Sequence, residues 1–196
     1  GIFGSVYLVQ DKKTEEYYEA KVLSHGNSNS KYKQSIIREI SIIIRVQHPT
    51  LIKFCGYSLT DFEGNDNITI LMDYPSNGSL AGAIKNKQNL ISNNKFDNTA
   101  RQIILVGISR GMMHLHKYHI IHPCLTLNNI LLDKDLKPLI TNFCLSKFFE
   151  KTDSKDRHTN IESLVYKAPE VILTNKYNHR SDVYSFGILM YEIITE

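Results

Sequence analysis

Several features that would place a chain outside the ordinary globular class are scarce in this one. No apolar stretch approaches the roughly 18 residues needed to cross a bilayer, and no signal-peptide pattern opens the chain, so membrane attachment would need parts not present here. Cysteine is limited to Cys55, Cys124 and Cys144, an odd number at wide spacing. That argues against a disulfide framework and for a reducing, intracellular setting, the cytoplasm first. The 23 Lys and Arg against 20 Asp and Glu leave a net charge of +3 with no basic run, so a nucleic-acid partner is not indicated.

What remains is ordinary: 42% hydrophobic and 22% charged residues in a chain of 196, which excludes disordered and fibrous compositions and predicts a sizeable core. Gly1 falls inside a strand-like pattern and Glu196 inside a helical one, so both ends are expected to be cuts.

The β-branched and aromatic runs 5–9 and 17–23, separated by polar residues 11–16, predict an antiparallel hairpin. Ile36, Ile37, Ile40, Ile43 and Ile44 then fall at helical spacing. Two further strand-like runs, 51–59 and 68–74, flank a polar connection whose Gly64 and Asn65 favour a turn. Beyond Gly78 the pattern turns helical: Asp97 is placed to cap a long helix buried through Ile104, Ile108, Met112 and Leu115. Short strands are expected at 130–132 and 139–141, a polar loop over 143–166, and a last helix from about Ser181. Val183, Phe186, Gly187, Met190 and Ile194 give that helix its expected apolar face.

Gly1-Ile2-Phe3-Gly4-Ser5-Val6 alone reads most simply as a turn between strand residues, although such glycines also let backbone amides approach phosphates. Context comes from Lys21 on the next strand and Glu39 in the following helix, and more strongly from four later blocks. These are 120–133, containing His122, Pro123, Cys124, Leu125 and Asn129; Thr141-Asn142-Phe143-Cys144; Ala168-Pro169-Glu170; and Ser181-Asp182-Val183-Tyr184-Ser185-Phe186-Gly187. In this order and spacing they resemble the motifs of a protein kinase domain over essentially the whole chain. Tyr74-Pro75-Ser76-Asn77-Gly78-Ser79-Leu80 and the Asp182 segment are most similar to the tyrosine-kinase-like group, whose active members usually phosphorylate Ser and Thr.

The resemblance implies an α+β, two-lobed protein kinase-like fold: a β-rich small lobe over 1–72, a hinge at 73–76, and an incomplete, mainly helical large lobe over 77–196. It implies ATP and magnesium as family cofactors, with Gly1, Gly4, Val6, Lys21, Met72, Asp73, Tyr74, Asn129 and Leu131 at nucleotide-binding positions. Lys21 and Glu39 take the places of the phosphate-holding ion pair. Asn129 and Asn142 take those of the metal ligands, and Cys124 that of the catalytic aspartate. Ile43, Phe54, Phe143, His122 and Asp182 match residues that keep the family's internal shape.

The departures carry the functional reading. Pro123 stands in place of the family's Arg, Cys124 in place of the proton-handling Asp, and Thr126 where a Lys commonly assists. Asn142 replaces the metal-binding Asp, and Cys144 replaces a glycine. Magnesium prefers hard anionic oxygen, so Asn129 and Asn142 are expected to hold it weakly or not at all. Two residues before Lys21, on the same strand face, Glu19 takes a position where the family has a small apolar residue above the adenine ring; a strand slip that turned Ala20 inward would remove the conflict.

These departures predict a catalytically impaired pseudokinase acting as a signalling or regulatory module with other signalling proteins as partners. The alternative is an active ATP-dependent Ser/Thr protein kinase with atypical residues. His114, His116, His119, His122 and Cys124 are dense enough to bring zinc to mind, but positions two apart on a helix do not share a face.

Overall fold

The computed structural model describes residues 5–23, 30–85, 96–143 and 164–195, apart from the side chains of Ser30, Lys31, Tyr32, Lys33, Ser35 and Glu39. The chain divides into two compact units, Gly1–Gln47 with Ile52–Tyr74, and His48–Leu51 with Pro75–Glu196.

In the first unit, β1 (Ser5–Gln10) and β2 (Tyr17–Leu23) form the expected antiparallel hairpin. Its turn is held by the Asp11 carboxylate, which accepts from the amides of Lys13 at 2.7 Å and Thr14 at 3.1 Å. Helix α1 (Ser30–Arg45) buries Ile36, Ile40 and Ile43 and leaves Ile37 and Ile44 exposed, which is one helical stripe. Each buried isoleucine contributes about 1.5–3 kcal/mol relative to exposure. Strands β3 (Phe54–Ser58) and β4 (Ile68–Asp73) complete an antiparallel sheet of order β1-β2-β4-β3. Between them the Asp61 carboxylate gathers the Glu63 and Asn65 amides and the Asn67 side chain, and Gly64 supplies a left-handed φ of 82°. The interior strand β4 buries Ile68, Ile70 and Met72.

Leu51 and Ile52 do not belong to β3, contrary to the run predicted over 51–59. Leu51 instead forms a parallel bridge with Ile140, and the Ile140 amide donates to Thr50 O at 2.8 Å, within the second unit. A short segment cannot serve two sheets, and here the backbone pairing outweighs a continuous apolar run.

The second unit is built on α3 (Asn98–Lys117), capped by Asp97, whose carboxylate accepts from the Ala100 amide at 2.8 Å. It buries Ile104, Ile108, Met112 and Leu115 as its spacing predicts. Gly107 and Gly111 share one face of α3, and a Cβ there would stand 2.5 Å from Pro138 Cγ and 2.6 Å from Thr50 Oγ1. Both positions therefore require glycine for close packing. Strands β5 (Ile130–Leu132) and β6 (Pro138–Ile140) form a hairpin, and α2 (Leu80–Lys85) lies on its Ser79 side through a Ser79–Leu131 bridge.

After α4 (Pro169–Thr174) comes α5 (His179–Thr195), and here the expected apolar face is wrong. Ser181, Asp182, Ser185, Leu189 and Ile193 are buried, while Val183, Met190 and Ile194 are exposed. Hydrogen bonds make the polar stripe the inner one. Ser185 Oγ donates to Tyr166 O at 2.7 Å and lies 3.1 Å from Ser181 O, and Tyr166 donates its hydroxyl to Glu192. Among the described residues no helix is long and apolar enough to cross a membrane.

Candidate functional site

In the second unit the β5–β6 hairpin sets the loop residues. Ile130 pairs with Ile140, so Asn129 and Asn142 flank the paired segment, and the Thr141 amide donates to Asn129 O at 3.0 Å. Asn142 has a left-handed φ of 63°, a conformation asparagine tolerates better than most residues. Its side-chain amide donates to Asn129 Oδ1 at 3.0 Å. The Asn129 side-chain Nδ2–H in turn donates to Cys124 O at 2.7 Å. Three of the positions singled out in the sequence are thus tied together by two hydrogen bonds.

His122 lies below this loop, 1% exposed. Its Nε2–H donates to Thr141 O at 3.0 Å, its Nδ1 accepts from the Cys124 amide at 3.3 Å, and its own backbone N–H donates to Asp182 Oδ2 at 3.0 Å. Those ring contacts suit a neutral imidazole, and burial pushes its pKa below the usual 6.5. Asp182 also receives His116 Nε2 at 2.7 Å. The sequence marked Asp182 but gave no sign of His116 as its partner, nor of the His116–His179 stack with centroids 4.5 Å apart.

Cys124 reaches solvent, yet its thiol sits among enough protein that desolvation raises its pKa above 9.0; Asn129 and Lys167 pull the other way by less. At neutral pH it therefore carries its proton and is no substitute for a carboxylate base. Leu131 is half-buried on β5, opposite Leu139.

In the first unit Val6 on β1 faces Lys21 on β2, and Lys21 pairs on its other side with Ile70 of β4. Glu19 lies between Leu8 and Met72 in the neighbouring row. Pairing of β2 is unbroken on both sides, so Glu19 and Lys21 share a face and the slip that would turn Ala20 toward that face does not occur. Ala20 is fully buried on the other face. Burial raises the Glu19 pKa and lowers that of Lys21, while each charge favours the other. Met72 is buried, Asp73 ends β4 and Tyr74 is exposed. Gly1, Gly4, Cys144 and the Glu39 side chain lie outside the described residues.

The family model for the protein kinase domain matches residues 1–196. The chain belongs to the protein kinase domain family. Among similar proteins of Arabidopsis thaliana, the G-type lectin S-receptor-like serine/threonine-protein kinase At1g61430 is 31% identical over 199 residues, covering 100% of this chain and 24% of that protein. For At1g61400, of the same description, the figures are 32%, 100% and 23%. Cysteine-rich receptor-like protein kinase 26 is 30% identical over 203 residues, covering 100% of this chain and 29% of that protein. This kinase-family chain thus spans about a quarter of the length of the curated relatives it matches.

The family uses ATP and magnesium, and this kinase domain's own donors fit magnesium poorly. Both side chains at the ligand positions are neutral amides, and the oxygen of Asn129 already accepts the hydrogen bond from Asn142. Among the described residues no group of three His, Cys, Asp or Glu side chains is arranged to hold a metal ion. The histidines near Cys124 serve separate partners: His116 binds Asp182, His122 binds Thr141 O, and His114 stacks with His48 and Tyr118.

Proposed function

We propose that this kinase-family domain is a pseudokinase of the tyrosine-kinase-like group, working inside the cell as a regulatory binding module for other signalling proteins. The observation that carries the reading is the hydrogen bond from Asn142 to Asn129 Oδ1. One side chain at the metal-ligand positions donates to the oxygen of the other, and neither brings the anionic oxygen that magnesium prefers. Cys124, with its proton retained, supports the same conclusion at the position of the catalytic aspartate. The receptor-like names of the relatives favour a cytoplasmic domain of a signalling protein, and a serine/threonine kinase name keeps catalysis open as the second reading.

A phosphotransfer assay separates the two. With the proton acceptor gone, turnover of a generic Ser/Thr substrate is expected to fall by about 10² to 10⁴ relative to an intact family member. Calorimetry with ADP is expected to show no gain in affinity on adding magnesium. Robust substrate phosphorylation that disappears in Lys21→Ala sinks the pseudokinase reading.

A further inference from the structure

Helix α3 has two long faces, and only one of them is buried. Ile104, Ile108, Met112 and Leu115 lie in the core, with Gly107 and Gly111 packed close to Pro138 and Thr50. On the opposite side Ile103, Val106 and Met113 are 52%, 44% and 69% exposed, and Arg110 and Lys117 are exposed with them. The steps from Ile103 to Val106, Arg110, Met113 and Lys117 are three, four, three and four residues, so these side chains form one stripe about 21 Å long. That alternation is the a/d repeat along which a second helix lies beside the first at a crossing angle near about +20°. Solitary exposed apolar residues are ordinary, whereas a continuous seam of them marks a surface that another element can cover. The stripe is also basic. Helix α3 holds no Asp or Glu between Asn98 and Lys117, and neither Arg110 nor Lys117 forms an ion pair among the described residues.

We propose that this stripe of α3 is a docking seam for one amphipathic helix of a partner protein, whose apolar side chains fall on Ile103, Val106 and Met113 and whose Asp or Glu side chains meet Arg110 and Lys117. Charge selects the occupant. A second copy of this chain, paired through the same stripe, sets cations against cations with no carboxylate between them. An anionic lipid surface is served poorly by Arg110 and Lys117 alone, since such recruitment takes clusters of about 4–8 Lys or Arg. An acidic helix of matching repeat covers the apolar side chains and gives both cations a counter-charge. Arg110 and Lys117 stand two helical turns apart, about 10 Å along the axis, which fixes the spacing of the partner's acidic residues at one heptad. The seam holds whether or not the domain transfers phosphate, because none of its residues belongs to the candidate site.

The probe is a hydrocarbon-stapled helical peptide of about three heptads, with Leu at its a and d positions except for a pair of Glu spaced to face Arg110 and Lys117. Its affinity for the full chain is measured by calorimetry below the concentration at which it pairs with itself. A second peptide carries Lys in place of the Glu pair, and vesicles of phosphatidylcholine with phosphatidylserine stand for a membrane. The unaltered chain is expected to bind the Glu peptide about tenfold more tightly than the Lys peptide. Arg110→Glu combined with Lys117→Glu is expected to reverse that preference, and Val106→Ser combined with Met113→Ser to weaken both peptides by about tenfold. All of these positions are exposed, so thermal unfolding is expected to stay cooperative in each variant. Failure of the unaltered chain to bind the Glu peptide, or a preference that survives the charge reversal, overturns the seam. Binding to the vesicles alone, lost on charge reversal, overturns the protein partner in favour of a membrane. Self-association of the unaltered chain in sedimentation, abolished by Val106→Ser with Met113→Ser, overturns it in favour of a second copy.

Discussion

His122 with Asp182 in the second unit and Glu19 with Lys21 in the first are both sets of polar groups drawn out of water, and they are treated differently. Around His122 every contact is directional: Nε2–H to Thr141 O, Nδ1 from the Cys124 amide, and Asp182 Oδ2 shared by the His122 amide and His116. Around Glu19 and Lys21 the directly paired neighbours are apolar, and burial works against both charges. A network of directional bonds fixes a shape, whereas charges on a strand among apolar cross-strand neighbours gain little from those neighbours. One region holds its polar groups by hydrogen bonds; in the other, burial works against charge.

Breaking the satisfied network should have the largest effect. Asp182→Ala leaves a buried donor, the His122 amide, and a half-buried one, His116 Nε2, without their acceptor, and is expected to cost about 3 kcal/mol in chemical unfolding. Asp182→Asn keeps one acceptor oxygen and should cost less. Equal stability of Asp182→Ala and the unaltered chain would show that the network contributes nothing to the fold.

The next effect is on pH dependence. His122 is held neutral by burial, so its folded pKa lies below the 6.5 of an unfolded histidine. Its contribution to stability is therefore fully present above pH 6.5 and is lost as the pH falls through the depressed folded value. Thermal unfolding followed from pH 8 to pH 5 should show that decline, and NMR should show His122 uncharged where exposed histidines have taken their protons. An imidazole that titrates at the ordinary position would contradict the hydrogen-bond assignment.

The smallest effect lies in the first unit, where Cys55 Sγ lies 3.1 Å from Asp73 Oδ1 and its pKa is pushed up to about 12, by burial first and then by that carboxylate. Alkylation of Cys55 at pH 8 is expected to be slow, and Asp73→Asn should speed it several-fold, because the thiolate is the reactive form. Fast alkylation of Cys55 without the substitution would show that Asp73 does not hold the thiol in its protonated form.

The hairpin Ser5–Gln10 with Tyr17–Leu23, the α1 and α3 stripes, and the Asp97 cap were legible because each rests on a local rule of period or capping. The kinase family was legible from motif order. The inner face of α5 was not, since its buried stripe is set by Ser181, Asp182 and Ser185 through partners distant in sequence, and hydrophobicity marks the opposite side. The same holds for Leu51, whose apolar neighbours suggest a strand while its bridge to Ile140 depends on chain far downstream. At the site, the identities of Cys124, Asn129 and Asn142 could be read directly, but the bond from Asn142 to Asn129 needed the β5–β6 register to bring them together.

The four residues His48–Leu51 belong to the second unit although the first unit's chain runs on both sides of them. Thr50 meets the close-packed glycine face of α3 and accepts from the Ile140 amide, so α3 and β6 lack a neighbour until that segment arrives. Closing a loop that long costs entropy before its contacts repay it. Refolding should therefore end with a slow docking phase that Gly111→Ala retards more than it retards the early collapse, and the first unit cannot be excised as one uninterrupted stretch without taking a piece of the second with it.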